Sequence, residues 1–448
     1  MRYFNHLILS LLVLAPAGGP ASAQQASQDS AVTDCPPSVA ALASCYAAKL
    51  DTGAYVLAAL PQQWNGVLVV LGHGGPFVVP PSAKDEVDSV NRNAALVQRG
   101  FGWVASSYRK EGYGVAMAVE DSDQARKFFI ERVAKPRRIV YHGQSYGGLV
   151  GAKLIESFAK NRDGGLNYDG ALFQSGTLAG ALLAYEHRAD LRAVYQYYCK
   201  NLPRPNEAQY PVWSGIPSES KMTIRELTVL VDECTGISLA ADARSASQKQ
   251  NLADILAVMG YPETLLVRHL QAATLTFRDI AERITGGRNP FTNVGVQYKG
   301  SHDDAALNSG VARFTADPGA LAALNADGRP TGVLPIPVVT IHSINDPQVL
   351  VEVESAYRET VTAAGSSDHL VQAYTDERGH VLQSPPEVAA ALDSLMQWIE
   401  KGAKPSAQSI AAMCDQVKTT LDGPCRYHPE YSPKSYATRY YPREAAVR

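Results

Sequence analysis

The sequence is short of any single-sign charge. Lysine and arginine together number 41 against 44 aspartates and glutamates, a formal net charge of −3, and no run of like charges disturbs the balance. Such a chain has no general attraction for nucleic acid or anionic lipid. Beyond its N-terminus it has no stretch approaching the roughly 20 apolar residues that a membrane-spanning helix needs. Cysteine is scarce, six in 448 residues. No Cys-x-x-Cys pair or clustered Cys/His spacing occurs, so no metal site is expected. A Walker-type loop, a dinucleotide fingerprint and a metal-ligand helix are all missing, which removes the commonest nucleotide and metalloprotease readings. There is no internal repeat.

What is present begins with a targeting pattern. Arg2 precedes the apolar stretch Leu7 to Leu14, and Ala21-Ser22-Ala23 forms a small-residue cleavage site. This order predicts a secretory signal peptide over residues 1–23, cut after Ala23. The apolar run is too short to span a bilayer comfortably, so an uncleaved anchor is the lesser alternative. The expected mature protein is secreted or periplasmic, with no membrane span after signal cleavage. The cysteines, Cys35, Cys45, Cys199, Cys234, Cys414 and Cys425, all follow the cut. Their number is even, and an oxidising compartment makes disulfides the default. Six cysteines allow many pairings. The simplest joins sequence neighbours, Cys35 to Cys45, Cys199 to Cys234 and Cys414 to Cys425, each stapling local structure.

After a polar leader from Gln24 to Asp34 the chain alternates strand-like and helix-like segments. Strands are expected at Gly53 to Leu60, Gly66 to Leu71, Gly102 to Ser106, Arg138 to His142 and Asp169 to Phe173. Continuous apolar runs such as Gly66 to Leu71 suit strands buried on both faces of a parallel sheet. Helices are expected at Asn91 to Arg99, Met117 to Val133 and Leu149 to Phe158. Between about Gly176 and Gly332 the alternation stops, and helical patterns take over at Leu182 to Tyr198, Ile224 to Val231, Ala246 to Met259 and Leu265 to Ile284. It resumes with the strand Val338 to His342, the helix Val349 to Ala364, the strand Leu370 to Tyr374 and the helix Pro386 to Lys401. The expected fold is therefore α/β, a mostly parallel sheet with helices on both faces. Its core spans residues 24–176 and 333–402. A helical cap or lid over 177–332 is inserted before the last two strands, being too long for a loop, and a disulfide-stapled surface tail covers 403–448.

The chemistry is carried by Gly143-Gln144-Ser145-Tyr146-Gly147, which follows a predicted strand and precedes a predicted helix. Glycine and serine are common, so the motif alone says little, but in this context it describes a nucleophile elbow. Ser145 sits in a strained turn whose neighbours two residues away must be small, and the following helix points its positive end at developing charge. A serine hydroxyl needs a base, usually a histidine oriented by a carboxylate. In this architecture the chain order is Ser, acid, His. His380 lies in a loop just after the last strand. His342 is inside a strand, His369 begins one and His428 lies in the tail, so these read as structural. Asp346 follows the strand Val338 to His342 and is the expected acid. Asp376 is its rival and reads better as shaping the histidine loop, with Glu377 weaker still. Oxyanion donors are expected from the N–H of Tyr146 and from the loop His73-Gly74-Gly75-Pro76, where Gly75 is favoured, Gly74 is the alternative, and Pro76 has no N–H.

Weaker features are Tyr108, Tyr113, Tyr185, Tyr195, Tyr197 and Tyr198, which could line an aromatic cleft but suit a core or rim as well. Glu186 and His187 open a helix near the sheet edge and read as a surface pair.

In these motifs the sequence resembles the α/β-hydrolase superfamily, over about Gly53 to Gly176 and Pro335 to Lys401. The resemblance rests on His73-Gly74-Gly75-Pro76, on Gly143 to Gly148, and on Asp346 and His380. It implies a triad of Ser145, Asp346 and His380, an oxyanion hole near Gly75 and Tyr146, and no cofactor. Ser145-Tyr146-Gly147-Gly148 is similar to the elbow of prolyl-oligopeptidase-type peptidases, yet no propeller-length domain precedes the core. The His73 loop and the cap position are similar to proline-iminopeptidase-type aminopeptidases, yet the cap has no clear acidic cluster to hold a free amine. Cysteines flanking the serine and histidine, as in tannase-like members, are absent. The expected activity is hydrolysis of a small-molecule or oligomeric carboxylic ester through an acyl-enzyme, with a peptide substrate as the alternative.

Overall fold

The computed structural model describes residues 31–438 and residue 441. The expected signal peptide with its cut after Ala23, most of the polar leader, and the end of the tail lie outside the described residues.

Among the described residues nine strands form one sheet: β1 (Ala31–Thr33), β2 (Ala43–Lys49), β3 (Tyr55–Pro61), β4 (Val67–Gly72), β5 (Gly102–Ser106), β6 (Arg138–Gln144), β7 (Gly170–Gln174), β8 (Val338–Ser343) and β9 (Leu370–Thr375). Their spatial order is β1-β2-β3-β5-β4-β6-β7-β8-β9. β1, β2 and β3 pair antiparallel, as do β3 and β5. From β5 to β9 every pairing is parallel. Every residue of β4, β7 and β8 is buried, as strands covered on both faces must be. Alternate side chains go to opposite faces. Leu68 and Val70 join the core beneath helices α3 (Val115–Arg132) and α4 (Tyr146–Phe158), whereas Val67, Val69 and Leu71 join the one beneath α13 (Pro385–Lys401).

The remaining helices are α1 (Ala83–Arg92), α2 (Ala94–Gln98), α5 (Ala181–Cys199), α6 (Ile224–Thr235), α7 (Ala246–Met259), α8 (Leu266–Gln271), α9 (Phe277–Asp279), α10 (Asp304–Gly310), α11 (Pro318–Gly328), α12 (Val353–Ala363) and α14 (Ala407–Val417). Helices α5 to α11 all fall between β7 and β8.

Four expectations need correction. The strands do not begin at Gly53, because β1 occupies Ala31–Thr33 within the polar leader and β2 follows. Both lie at the sheet's end, where small residues such as Ala43, Ala47 and Ala48 give little strand signal. The helix expected over Asn91 to Arg99 is two helices broken at Asn93, whose side-chain amide donates to the Ser89 carbonyl at 2.9 Å. The helix expected from Val349 begins only at Val353, because the Asp346 carboxylate holds the N–H groups of Gln348 and Val349 in a turn. The long helix over Leu265 to Ile284 is interrupted by two π-helical turns, Ala272–Thr276 and Ile280–Ile284.

The tail carries α14 and is more than a surface strap. Cys414–Cys425 is bridged, and so are Cys35–Cys45 and Cys199–Cys234. Beyond α14, Tyr427 makes a one-residue antiparallel bridge to Thr375 on β9, flanked by bonds from Asp376 N–H to the Arg426 carbonyl and from His428 N–H to the Tyr374 carbonyl. The chain then crosses to the helical insertion. There the Tyr436 hydroxyl donates to the Leu183 carbonyl and the Tyr441 hydroxyl to that of Val258.

Candidate active site

The turn between β6 and α4 carries Ser145 at φ 55°, ψ −118°, a conformation that costs a non-glycine residue energy. Its surroundings leave no room for larger neighbours. A Cβ on Gly143 would lie 2.3 Å from the Gly147 carbonyl oxygen, and one on Gly147 would lie 2.0 Å from that of Gly72. The Ser145 N–H is committed to the Gln174 carbonyl at 2.9 Å, so the strained turn is anchored to the neighbouring strand.

Around Ser145 the expected side chains converge. His380 Nε2 lies 2.7 Å from Ser145 Oγ, and His380 Nδ1 lies 2.7 Å from Asp346 Oδ2. The other Asp346 oxygen accepts from the N–H groups of Gln348 and Val349, each at 2.9 Å. Asp346 is buried and His380 keeps a small exposed edge. Tyr146 opens α4, so its N–H is one of those at a helix start without an intrahelical acceptor. Gly74 and Gly75 face the same point. A Cβ on Gly74 would sit 3.4 Å from Ser145 Cβ, and one on Gly75 3.8 Å from the Tyr146 ring. His73 fixes that loop by stacking on Phe77 and by its ring nitrogen, 2.6 Å from the Gly74 carbonyl.

The rivals sit elsewhere. Asp376 accepts from Asn345 at 2.8 Å, joining the acid and histidine loops, and Glu377 pairs with Arg426. His342 is buried behind Asp346. Burial disfavours its charge, but the hydrogen bond and charge of Glu354, with Asp346 adding, outweigh that and raise its pKa. His369 bonds the Leu334 carbonyl, and His428 faces Asp376. Glu186 and His187 are both buried, which corrects the surface-pair reading. The helix that carries them packs inward against the rest of the insertion. Of the six tyrosines, Tyr185 borders a cavity beside Ser145. Tyr108, Tyr113 and Tyr195 are core residues, and Tyr197 and Tyr198 pack on one another at half-buried positions.

Sequence reasoning missed a layer of mostly buried amides beneath Ser145. Gln144 donates to Asn93 and Gln174, Gln174 donates to Gln383, and Gln383 donates to Ser343 and Ser175. These bonds tie the ends of β6, β7 and β8 to the loop after His380. Polar residues ending otherwise apolar strands, as Gln144 and Gln174 do, were the available signal. Also missed were Arg188 and Arg268. Two cavities meet Ser145, one of about 550 Å³ bounded by His380, Leu382 and Arg268, and one of about 40 Å³ bounded by Gly75, Tyr146 and Arg268.

No protein-family model matches the chain, and no curated protein matches its sequence. Among solved structures it is similar to feruloyl esterase B from Aspergillus oryzae, at 13% identity, 81% of this chain and 82% of that one, TM-score 0.43. It is similar to a second Aspergillus oryzae esterase at 16% identity, 81% of each chain, TM-score 0.42. A further likeness is to the rice cell wall degrading esterase LipA from Xanthomonas oryzae, at 12% identity, 85% of this chain and 89% of that one, TM-score 0.38. The fold itself, read from the order and directions of the chain's own strands and from the turn that carries Ser145, is that of the α/β-hydrolases.

Proposed function

We propose that the chain is a serine hydrolase that cleaves carboxylic esters. The observation that carries this is the continuous relay from Asp346 through His380 to Ser145, with both hydrogen bonds at 2.7 Å. Asp346 holds the imidazole with its proton on Nδ1, leaving Nε2 free to accept the Ser145 proton. As Oγ bonds to the ester carbonyl carbon, negative charge forms on the carbonyl oxygen. The N–H groups of Gly75 and Tyr146 would receive it, aided by the start of α4. The tetrahedral adduct collapses as the bond to the alkoxy oxygen breaks, and His380 gives that oxygen the proton. Water then enters, loses a proton to His380, attacks the acyl-enzyme and releases the acid. These steps use only side chains, backbone and water.

The ester reading is favoured over the peptidase one by the walls of the two cavities. Neither contains an aspartate or glutamate among the described residues, so neither offers a carboxylate to a free amino group. Helices α5 to α11 supply Arg188, Arg268, Gln271 and Thr276 to those walls, which supports residues 177–332 acting as a cap. The signal-like N-terminus and three disulfides support a secreted or periplasmic location. No described helix is long and apolar enough to cross a membrane.

The test is turnover of p-nitrophenyl butyrate and labelling by a fluorophosphonate, wild type beside Ser145→Ala. Turnover and labelling that both vanish in a folded variant are expected. Turnover that persists in the variant would refute the assignment.

A further inference from the structure

Arg188 projects from α5 and Arg268 from α8, and both border the small cavity beside Ser145. Arg188 is buried and largely committed. Its guanidinium donates to the carbonyls of Ala184 and Gln348 and to His269 Nδ1, and lies over the Tyr185 ring. Arg268 is different. It makes one side-chain bond, to Gln271 at 3.2 Å, and its side chain stays open to solvent because it faces the cavities. A guanidinium carries five N–H donors in a planar fork, so most of those on Arg268 point at nothing in the protein.

Neither arginine forms an ion pair with a described carboxylate. Desolvation first and the charge of Arg188 second push the Arg268 pKa down, and only the Tyr185 phenol, not a carboxylate, opposes them. Two guanidiniums held together without a counter-ion repel each other and have given up part of their hydration. A ligand anion would relieve both costs. Arg fork geometry matches a carboxylate with two parallel bonds.

The position also says which part of a substrate carries the anion. The leaving alcohol must face His380, which protonates it. His380 borders the large cavity and is absent from the walls of the small one, which Tyr146 and Arg188 bound instead, while Gly75 and Arg268 border both. The acyl group therefore runs into the small cavity, toward Arg268. We infer that the enzyme, on the ester-hydrolase reading above, is selective for half-esters of short dicarboxylic acids, with the free carboxylate of the acyl group held by Arg268 and Arg188 behind it. The small volume limits the acyl chain to a few carbons.

The experiment compares monomethyl succinate with methyl butyrate, which differ by a carboxylate in place of a methyl group, and with the butyryl ester of glycolate, which carries its carboxylate on the alcohol. Released acid or alcohol is measured for wild type, Ser145→Ala, Arg268→Gln and Arg268→Lys. Wild type should favour monomethyl succinate over methyl butyrate in kcat/KM by about tenfold or more, the worth of a charge-assisted hydrogen bond. Arg268→Gln should lower that ratio by about 10- to 100-fold, with Arg268→Lys restoring part of it. The wild-type preference is readable even if a variant fails to fold. Equal rates on the succinate and butyrate esters, both abolished by Ser145→Ala, would overturn the anion site and leave the ester hydrolase standing. A preference for the glycolate ester alone would overturn the acyl-side placement. Failure to cleave any of the three would overturn both readings.

Discussion

Replacing Asp346 by asparagine tests the relay where its geometry is most constrained. One carboxylate oxygen faces His380 Nδ1 at 2.7 Å, and the other takes the N–H groups of Gln348 and Val349 at 2.9 Å each. An asparagine must present one oxygen and one NH2 to these two sides. Turning the NH2 toward the backbone would leave two buried N–H donors facing another donor, at about 1–3 kcal/mol for each. The amide oxygen is therefore expected to keep the backbone bonds and the NH2 to face His380. A donor there forces the proton of the neutral imidazole onto Nε2, the atom that must accept from Ser145. The expected loss in kcat is on the order of 10⁴-fold, or about 5.5 kcal/mol of barrier. The assay is ester turnover with circular dichroism and thermal melting in parallel, since the isosteric change should leave the fold intact. Asp376→Asn serves as the comparison, because that exposed carboxylate bonds Asn345 and does not reach His380. It should change turnover less than about twofold. A folded Asp346→Asn enzyme within tenfold of wild type would refute the reasoning.

Other outcomes follow from the same structure. Gly147→Ala puts a Cβ 2.0 Å from the Gly72 carbonyl oxygen and 2.7 Å from that of His73, so denaturant unfolding should show a loss of about 3 kcal/mol. Gly164→Ala, with φ +82° and nothing within 4 Å, should lose only about 1 kcal/mol. Changing both Cys199 and Cys234 to serine opens the longest disulfide loop, with a separation of 35 residues. Chain entropy puts its loss near 4 kcal/mol, against about 3 kcal/mol for either shorter loop, and equal effects on melting would contradict this. Glu86 is buried with no partner for its carboxyl oxygens, and burial, with Asp85 adding to it, raises its pKa to about 8. The folded state therefore holds a proton that the unfolded state releases near pH 4.5. The stabilising contribution is full below that pH and is lost as the pH rises toward 8, at up to about 1.4 kcal/mol per unit. Glu86→Gln should flatten this slope in unfolding measurements between about pH 5 and 8, and an unchanged slope would assign it to other groups.

The parallel half of the sheet was legible because its strands are continuous apolar runs, as in Val67–Gly72 and Val338–Ser343. The meeting of Ser145, Asp346 and His380 was legible because chain order and the C-terminal ends of strands leave few candidates. Strands β1 and β2 were not, since edge pairing depends on a partner distant in sequence more than on local pattern. The late start of α12 was hidden for a related reason. Residues 348 and 349 are helix-compatible in isolation, and only the Asp346 carboxylate diverts their N–H groups. The pairing of Gln174 with Gln144 and Gln383 links positions 30 and 209 residues apart, a separation no periodicity reports. Arg188 and Arg268 stand on ordinary helical positions, and nothing local marks them as lacking a counter-charge.

The route of the tail bears on how the molecule behaves in a crowd. A parallel sheet that ends in an open strand offers its free N–H and C=O groups to any other chain able to extend it. Here the last parallel strand, β9, is met at its C-terminal end by Tyr427 of the same chain, with backbone bonds on both sides of the bridge. The C-terminal end of β9 is thus covered by the chain's own tail, which shields that part of the edge from pairing with another molecule. Removing residues 403–448 would expose β9 and should show first as self-association at high protein concentration.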